Sequence, residues 1–156
     1  MIKRLIFCIS ISFFLLSCGF TPIYQSKNSA GIKIEKISFE GDKLINNYLN
    51  LYLKRFTKKV SDKNFIINVN TKYVKKVLSK DLTGKAVDYE LNTNINFDIT
   101  LNGNFIKTIR LSEKFIMQKN DDKYEGQNYE NSIKQNFANS IYEKLIIQLT
   151  NLKNDT

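Results

Sequence analysis

The chain has 156 residues, with 24 lysines and arginines against 15 acids, a formal net charge of +9, no histidine, no tryptophan and two cysteines. Without histidine there is no Ser-His-Asp triad, no Cys/His pair and no histidine-based metal site. No glycine-rich phosphate loop occurs either, and acid pairs such as Asp121-Asp122 lie in a polar stretch that suits a solvated turn, so the composition argues against an enzyme.

The chain begins Met1-Ile2-Lys3-Arg4 and continues with the apolar run LIFCISISFFLL over residues 5–16. A membrane-spanning helix needs about 20 apolar residues. This shorter run behind a basic start reads as a secretory signal, residues 1–17. It ends Leu15-Leu16-Ser17-Cys18-Gly19, the pattern of a lipoprotein signal in which the thiolate of Cys18 takes a diacylglycerol. Cleavage before Cys18 frees an amine for another acyl chain, and several chains anchor firmly where one does not. Cys8 leaves with the signal, so the fold has no intramolecular disulfide and depends on its own core. No other cofactor and no metal are expected. Loss of Lys3 and Arg4 leaves 22 basic residues against 15 acids, a mature charge of +7. Outside the cytoplasm such a charge points to phosphorylated lipids, anionic glycolipids or an acidic protein rather than nucleic acid. A chain rich in Lys, Asn and Ile also offers a purely compositional account of the excess.

Residues 18–31, with Pro22, Ser26, Asn28, Ser29 and Gly31, read as a lipidated tether, and residues 32–152 as one domain. Residues 32–39 alternate as a first strand, and the phase slip between Ile34 and Ile37 predicts a bulge. Asp42 is placed to cap a helix over 43–59, with Ile45, Tyr48, Leu49, Tyr52 and Phe56 on the core side and Asn46, Asn47, Asn50 and Lys54 on the polar side. Alternation predicts a second strand over 65–77, a turn at KDLTGK (80–85) and a third strand over 87–101. A fourth strand over 105–117 follows the NGN turn at 102–104. Taking NGN as a three-residue loop faces Leu101 with Phe105, Phe97 with Ile109, Ile95 with Leu111, Asn96 with Arg110 and Asn92 with Lys114. In the preceding hairpin, facing Val77 with Val87 sets Lys76 against Asp88. Residues 119–127 read as a polar loop. A final helix over 128–152 repeats Tyr129, Ile133, Phe137, Ile141, Leu145 and Leu149 on one side, with Ile147 on the other.

The order is β-α-β-β-β-α. Two amphipathic helices cover one face only, so the expected fold is an α+β two-layer sandwich. Its four-stranded sheet is mostly antiparallel, with strand 1 parallel to strand 2 and both helices on one face. The open face then carries Asn68, Asn70, Asn92, Asn94 and Asn96 together with Lys72, Lys76, Arg110 and Lys114, while Lys80 and Lys85 flank the turn at one end. These six cations are the candidate anion contacts, with Arg110 best suited to a bidentate grip on phosphate; a solvated, salt-bridged surface is the bland alternative.

The stretch CGFTPIY, residues 18–24, resembles the start of mature LPS-assembly lipoproteins of the LptE family of Gram-negative outer membranes. SKDLTGKAVDYEL, residues 79–91, looks like that family's hairpin, although Val87-Asp88-Tyr89 stands where relatives often carry a basic residue. The element order and long final helix also match. The resemblance implies a non-enzymatic lipoprotein on the periplasmic side of the outer membrane. It would plug an LptD-like β-barrel, help that barrel assemble and assist lipopolysaccharide insertion. Gly19 after the lipidated cysteine fits outer-membrane sorting. Two other readings are an auxiliary lipoprotein of another envelope lipid-transport system and a free lipoprotein that binds an anionic lipid in an apolar cleft.

Overall fold

The structure is a computed structural model and describes residues 32–57 and 64–154. The signal segment, the whole tether with Cys18, and the 58–63 connection lie outside the described residues. The elements are β1 (Lys33–Gly41), α1 (Lys43–Leu53) closed by a 3-10 turn (Lys54–Phe56), β2 (Asn64–Lys80), β3 (Ala86–Leu101), β4 (Asn104–Gln118) and α2 (Lys123–Asn154). They form an α+β fold in the expected β-α-β-β-β-α order, with one sheet of order β1-β2-β3-β4. β1 runs parallel to β2, and β2, β3 and β4 form an antiparallel meander.

Alternation sorts the strands into two faces. Phe65, Ile67 and Val69 of β2 and Ile95, Phe97 and Ile99 of β3 are buried on one face. Ile45, Leu49 and Leu53 of α1 and Ala138, Ile141, Leu145 and Leu149 of α2 pack on them in a single core. A smaller cluster of Leu91, Met117, Ile133 and Phe137 continues that core toward the β2–β3 hairpin. The sheet outruns its cover. Seventeen residues of β2 extend about 56 Å at about 3.3 Å per residue, and past Tyr89 the inward-facing Val77 and Val87 are exposed, as is Leu82 at the hairpin tip.

The β1–α1 corner is held by backbone geometry. Gly41 adopts φ +94, and a Cβ there would lie 1.8 Å from the carbonyl oxygen of Thr71. Asp42 then caps α1, its Oδ1 accepting from the amides of Leu44 and Ile45 at 3.1 and 3.0 Å. The expected bulge in β1 is present, as a register shift between Ile34 and Lys36.

Several expectations are corrected. Asn46 is buried rather than on the polar side of α1: its Nδ2 donates to the Glu40 carbonyl at 3.0 Å and its Oδ1 accepts from Thr71 Oγ1 at 2.6 Å. Asn102-Gly103 is a two-residue turn with φ 49 and +87, and Leu101 pairs with Asn104, not Phe105. Two positive φ values match the right-handed twist of the flanking strands. A register shift between Ile99 and Thr100 absorbs the extra residue, so Phe97–Ile109, Ile95–Leu111, Asn96–Arg110 and Asn92–Lys114 face each other as expected. The cost of the bulge falls on Phe105, which is left exposed while Ile106 packs on the core.

In the other hairpin Val77 faces Tyr89 and Lys76 faces Glu90, two residues from the expected register. The five-residue turn explains it: Asp81 Oδ1 accepts from the amides of Thr83 and Lys85 and from Thr83 Oγ1, and register shifts flank Ser79. α1 gives way to a 3-10 turn at Lys54–Phe56, inside the expected helix, whose last two residues, 58 and 59, lie outside the described residues. α2 starts at Lys123 inside the expected loop, because Asp122 caps it through the amides of Tyr124 and Glu125. Tyr129, expected in the core stripe, is exposed and meets Phe115 edge-on at 6.3 Å.

Phe97, fully buried between the sheet and the helices, tests the architecture: Phe97→Ala should cost about 3–5 kcal/mol. Phe105→Ala, at the exposed bulge, should stay within about 0.5 kcal/mol. Urea denaturation of both variants measures the contrast, and equal losses would contradict the bulged register.

Candidate functional site: the open sheet face and a basic cleft

The face without helices carries the asparagine array, and it is polar along most of its length. Asn94 donates to Asn92 at 3.1 Å, and Ser38 donates to Asn68 at 2.5 Å. Lys72 and Lys76 of β2 and Arg110 and Lys114 of β4 all point to this face, opposite the inward alternation that carries the buried Thr71 and Ile109. Glu90 sits between two of these cations. It faces Lys76 across the strands and forms an ion pair with Lys114 at 2.5 Å, and its carboxyl is held below the ordinary range by that hydrogen bond and by the charges of Lys114 and Lys76. The structure therefore assigns Lys114, and in part Lys76, to a salt-bridged surface. Lys72 and Arg110 have no carboxylate partner within ion-pair distance among the described residues.

Lys80 and Lys85 stand at the two ends of the β2–β3 turn, while Lys72, Lys76, Arg110 and Lys114 are spread along the strands, so the six candidates do not form one cluster. Between them Leu82 is fully exposed, and Val77, Leu78 and Val87 are exposed below it. The tip thus combines apolar side chains with flanking ammonium groups.

A second feature was not foreseen from the sequence. A cleft of about 570 Å³ lies where β3 and β4 meet the start of α2, with Tyr89 and Met117 on its wall, Lys75, Lys119, Lys123 and Lys134 around it, and Glu130 among them. Its inner side is a chain of charged contacts. Lys134 Nζ lies 2.8 Å from Asp42 Oδ2 and 3.8 Å from the centre of the Tyr73 ring. Tyr73 donates its hydroxyl to Glu130 Oε1 at 2.8 Å, and Lys75 Nζ lies 2.7 Å from Glu130 Oε2 and 4.4 Å from the centre of the Tyr89 ring. Burial, reinforced by Glu130, raises the Tyr73 phenol, which stays a donor. Burial also works to raise Asp42 and Glu130, but it is outweighed: backbone amides and Lys134 hold Asp42 below its ordinary range, and Lys75 and Tyr73 do the same for Glu130. The sequence carried a signal for this network. Lys75 lies on the inward alternation of Thr71 and Tyr73, and Glu130 falls three and seven residues before Ile133 and Phe137, so each is a charge at a core-facing position.

No protein-family model matches this chain, and neither does any curated protein. Its fold is shared with bacterial lipoproteins of known structure. A minor lipoprotein from Acinetobacter baumannii aligns with a TM-score of 0.56 at 15% identity, covering 78% of this chain and 92% of the other. Rare lipoprotein B from Shewanella oneidensis gives 0.55 at 14%, covering 76% and 98%. An uncharacterized lipoprotein B from Nitrosomonas europaea gives 0.58 at 15%, covering 83% and 90%. At such identities the likeness is one of fold.

The depressed carboxyls make acid the test of the network. Their ordinary values are 3.8 for Asp42 and 4.5 for Glu130. A lowered folded-state value contributes stability that is present above the unfolded value and is lost as pH falls through the folded one. The urea midpoint should therefore hold from neutral pH down to about 5 and drop below about 4. Asp42→Asn keeps a capping oxygen but loses the charge. It should lower the midpoint at pH 7, and the gap from the parent should narrow as pH falls below 3.8.

Proposed function

We propose that this chain is a lipid-anchored lipoprotein on the periplasmic side of the outer membrane. It partners and plugs a β-barrel of the LptD type, and assists that barrel's assembly and the insertion of lipopolysaccharide into the outer leaflet. The observation that carries the proposal is the one-sided sheet: a rigid, elongated module keeps one face polar while committing its strong apolar stripes to the helices on the other. A polar, extended face suits a wet barrel lumen, where an apolar one would aggregate before assembly. The ends of the sheet support the same arrangement. β1 begins opposite Asn64, beside the Asn102-Gly103 turn, so the chain leading from Cys18 enters at the end opposite the β2–β3 tip. About 56 Å of β2 separates those ends, more than the roughly 40–45 Å of a bilayer with its headgroups. Anchored at Cys18, the module reaches from the periplasmic leaflet toward the outer one. The role is one of binding and assembly, without catalysis.

In this reading Lys80 and Lys85, beside the exposed Leu82, meet lipopolysaccharide phosphates at the tip, and Arg110 and Lys72 are further anion contacts on the open face. An auxiliary lipoprotein of another lipid-transport system shares the fold argument but requires no barrel partner.

Three measurements test the proposal. Mass spectrometry of the mature N-terminus should find acylated Cys18; an unmodified terminus upstream of it would remove the anchor. Photo-crosslinkers at Asn94, on the open face, and at Asn104 should capture a large outer-membrane β-barrel in one-to-one stoichiometry. Asn104 is preferred to Gly103, whose φ of +87 resists a side chain. Capture of periplasmic proteins alone would favour the auxiliary reading. Finally, Lys80→Glu with Lys85→Glu should weaken lipopolysaccharide binding at least about tenfold at low salt, since each reversal removes a charge-assisted contact and adds repulsion. The urea midpoint should stay unchanged, because neither lysine is buried. Unchanged binding would mark these residues as solubilising charge.

A further inference from the structure

α2 is one continuous helix, but its seat on the sheet changes character along its length. From Ile133 onward it buries a side chain on nearly every turn: Ile133, Phe137, Ile141, Leu145 and Leu149. In residues 123–132 no side chain is buried. Two side-chain contacts tie those first turns to the sheet. One is the edge contact of Tyr129 with Phe115 of β4. The other is Glu130, which accepts from Tyr73 at 2.8 Å and pairs with Lys75 at 2.7 Å, both on β2. The remaining bonds of the segment are local: Asp122 caps it, and Asn120 donates to Glu125.

We infer that residues 123–132 form a separately releasable strap, pinned to the sheet by the single carboxylate of Glu130, and that its release opens the basic cleft. A helical segment without apolar burial contributes little to its own stability in water, and local opening follows the segments with the fewest buried contacts. Charge-assisted bonds from a tyrosine hydroxyl and an ammonium to one carboxylate supply the missing attachment. The pin also occupies the cleft: Lys75, Glu130 and Lys134 all line it, beside Tyr89 and Met117. Lifting the strap frees Lys75 and widens the cleft beside Tyr89, while α2 from Ile133 onward stays seated and keeps Met117 packed against Ile133 and Phe137. This device stands independently of the barrel partnership proposed above.

Glu113 provides the internal control. It too is a carboxylate bonded to α2, accepting from Ser140 and Lys144, each at 2.6 Å. Those partners, however, lie on the stretch that Phe137, Ile141 and Leu145 already bury. Hydrogen–deuterium exchange on the full chain should compare Glu130→Gln, Tyr73→Phe and Glu113→Gln. In Glu130→Gln the amides of residues 127–132 should exchange about tenfold faster, as expected for loss of a charge-assisted bond, while those of 141–149 keep the parent rate. Tyr73→Phe, which retains the ring and removes one bond, should give a smaller change in the same segment. Glu113→Gln should leave residues 127–132 untouched. Unchanged exchange at 127–132 in Glu130→Gln, a uniform rise along α2, or an equal response to Glu113→Gln would each overturn the inference.

Discussion

Two helices cannot cover both sides of a sheet four strands wide and up to 17 residues long. That limit organises the rest of the molecule. One face must be apolar enough to bury α1 and α2, and the other must be content in water, so the strands alternate almost without interruption. The hydrophobic residues are spent on the covered side, where Phe65, Phe97, Ile67 and Ile99 are fully buried. The open side receives asparagines, threonines and paired charges. A protein built this way has a broad polar surface whose shape is set by a rigid backbone, which is the property the proposed role in a barrel lumen draws on.

The same limit leaves the sheet longer than its cover. At the β2–β3 end the helix layer is reduced to the first turns of α2, and apolar packing gives way to the Asp42–Lys134–Tyr73–Glu130–Lys75 chain. Each charge in it has a partner, as partly buried ions require. The cleft lies here, where ionic contacts instead of interdigitating aliphatic side chains join the two layers. The protein is therefore graded from end to end: a tight apolar core beside the β3–β4 turn, a polar seam further along, and a bare hairpin with Leu82 at its tip. The two free edges of the sheet are interrupted too, by the register shift after Ile34 in β1 and by the inward-facing Glu113 of β4 bonded to α2. Such features discourage pairing with another strand.

Much of this was legible in the residues. The alternation of Phe65 to Tyr73 and of Leu91 to Leu101, the four-residue repeat from Ile133 to Leu149, the cap at Asp42 and the bulge in β1 all follow from local rules, and the structure has them. The hairpin registers were less legible. Counting residues through Asn102-Gly103-Asn104 preserves the phase of the apolar faces, but the chain prefers a two-residue turn and restores phase with a bulge. Both solutions place Phe97 opposite Ile109, so alternation alone cannot separate them. Similarly, Tyr129, Val77 and Val87 sit on apolar faces that run past the end of the opposing layer.

The sequence by itself determined the elements, their order and which face of each would be buried, because those depend on side-chain periods of 2 and 3.6 that are local to a segment. It also carried the signs of a lipoprotein, in the border at Cys18. Only the tertiary structure decided which polar residues lie in the interior. Asn46 is buried because Thr71 and the Glu40 carbonyl meet it across the β1–α1 corner. Glu130 and Lys75, 55 residues apart, become one ion pair because α2 returns along the sheet to the first strand of the meander. Whether a polar side chain is buried at acceptable cost depends on partners distant in the chain, and those partners exist only once the layers have packed.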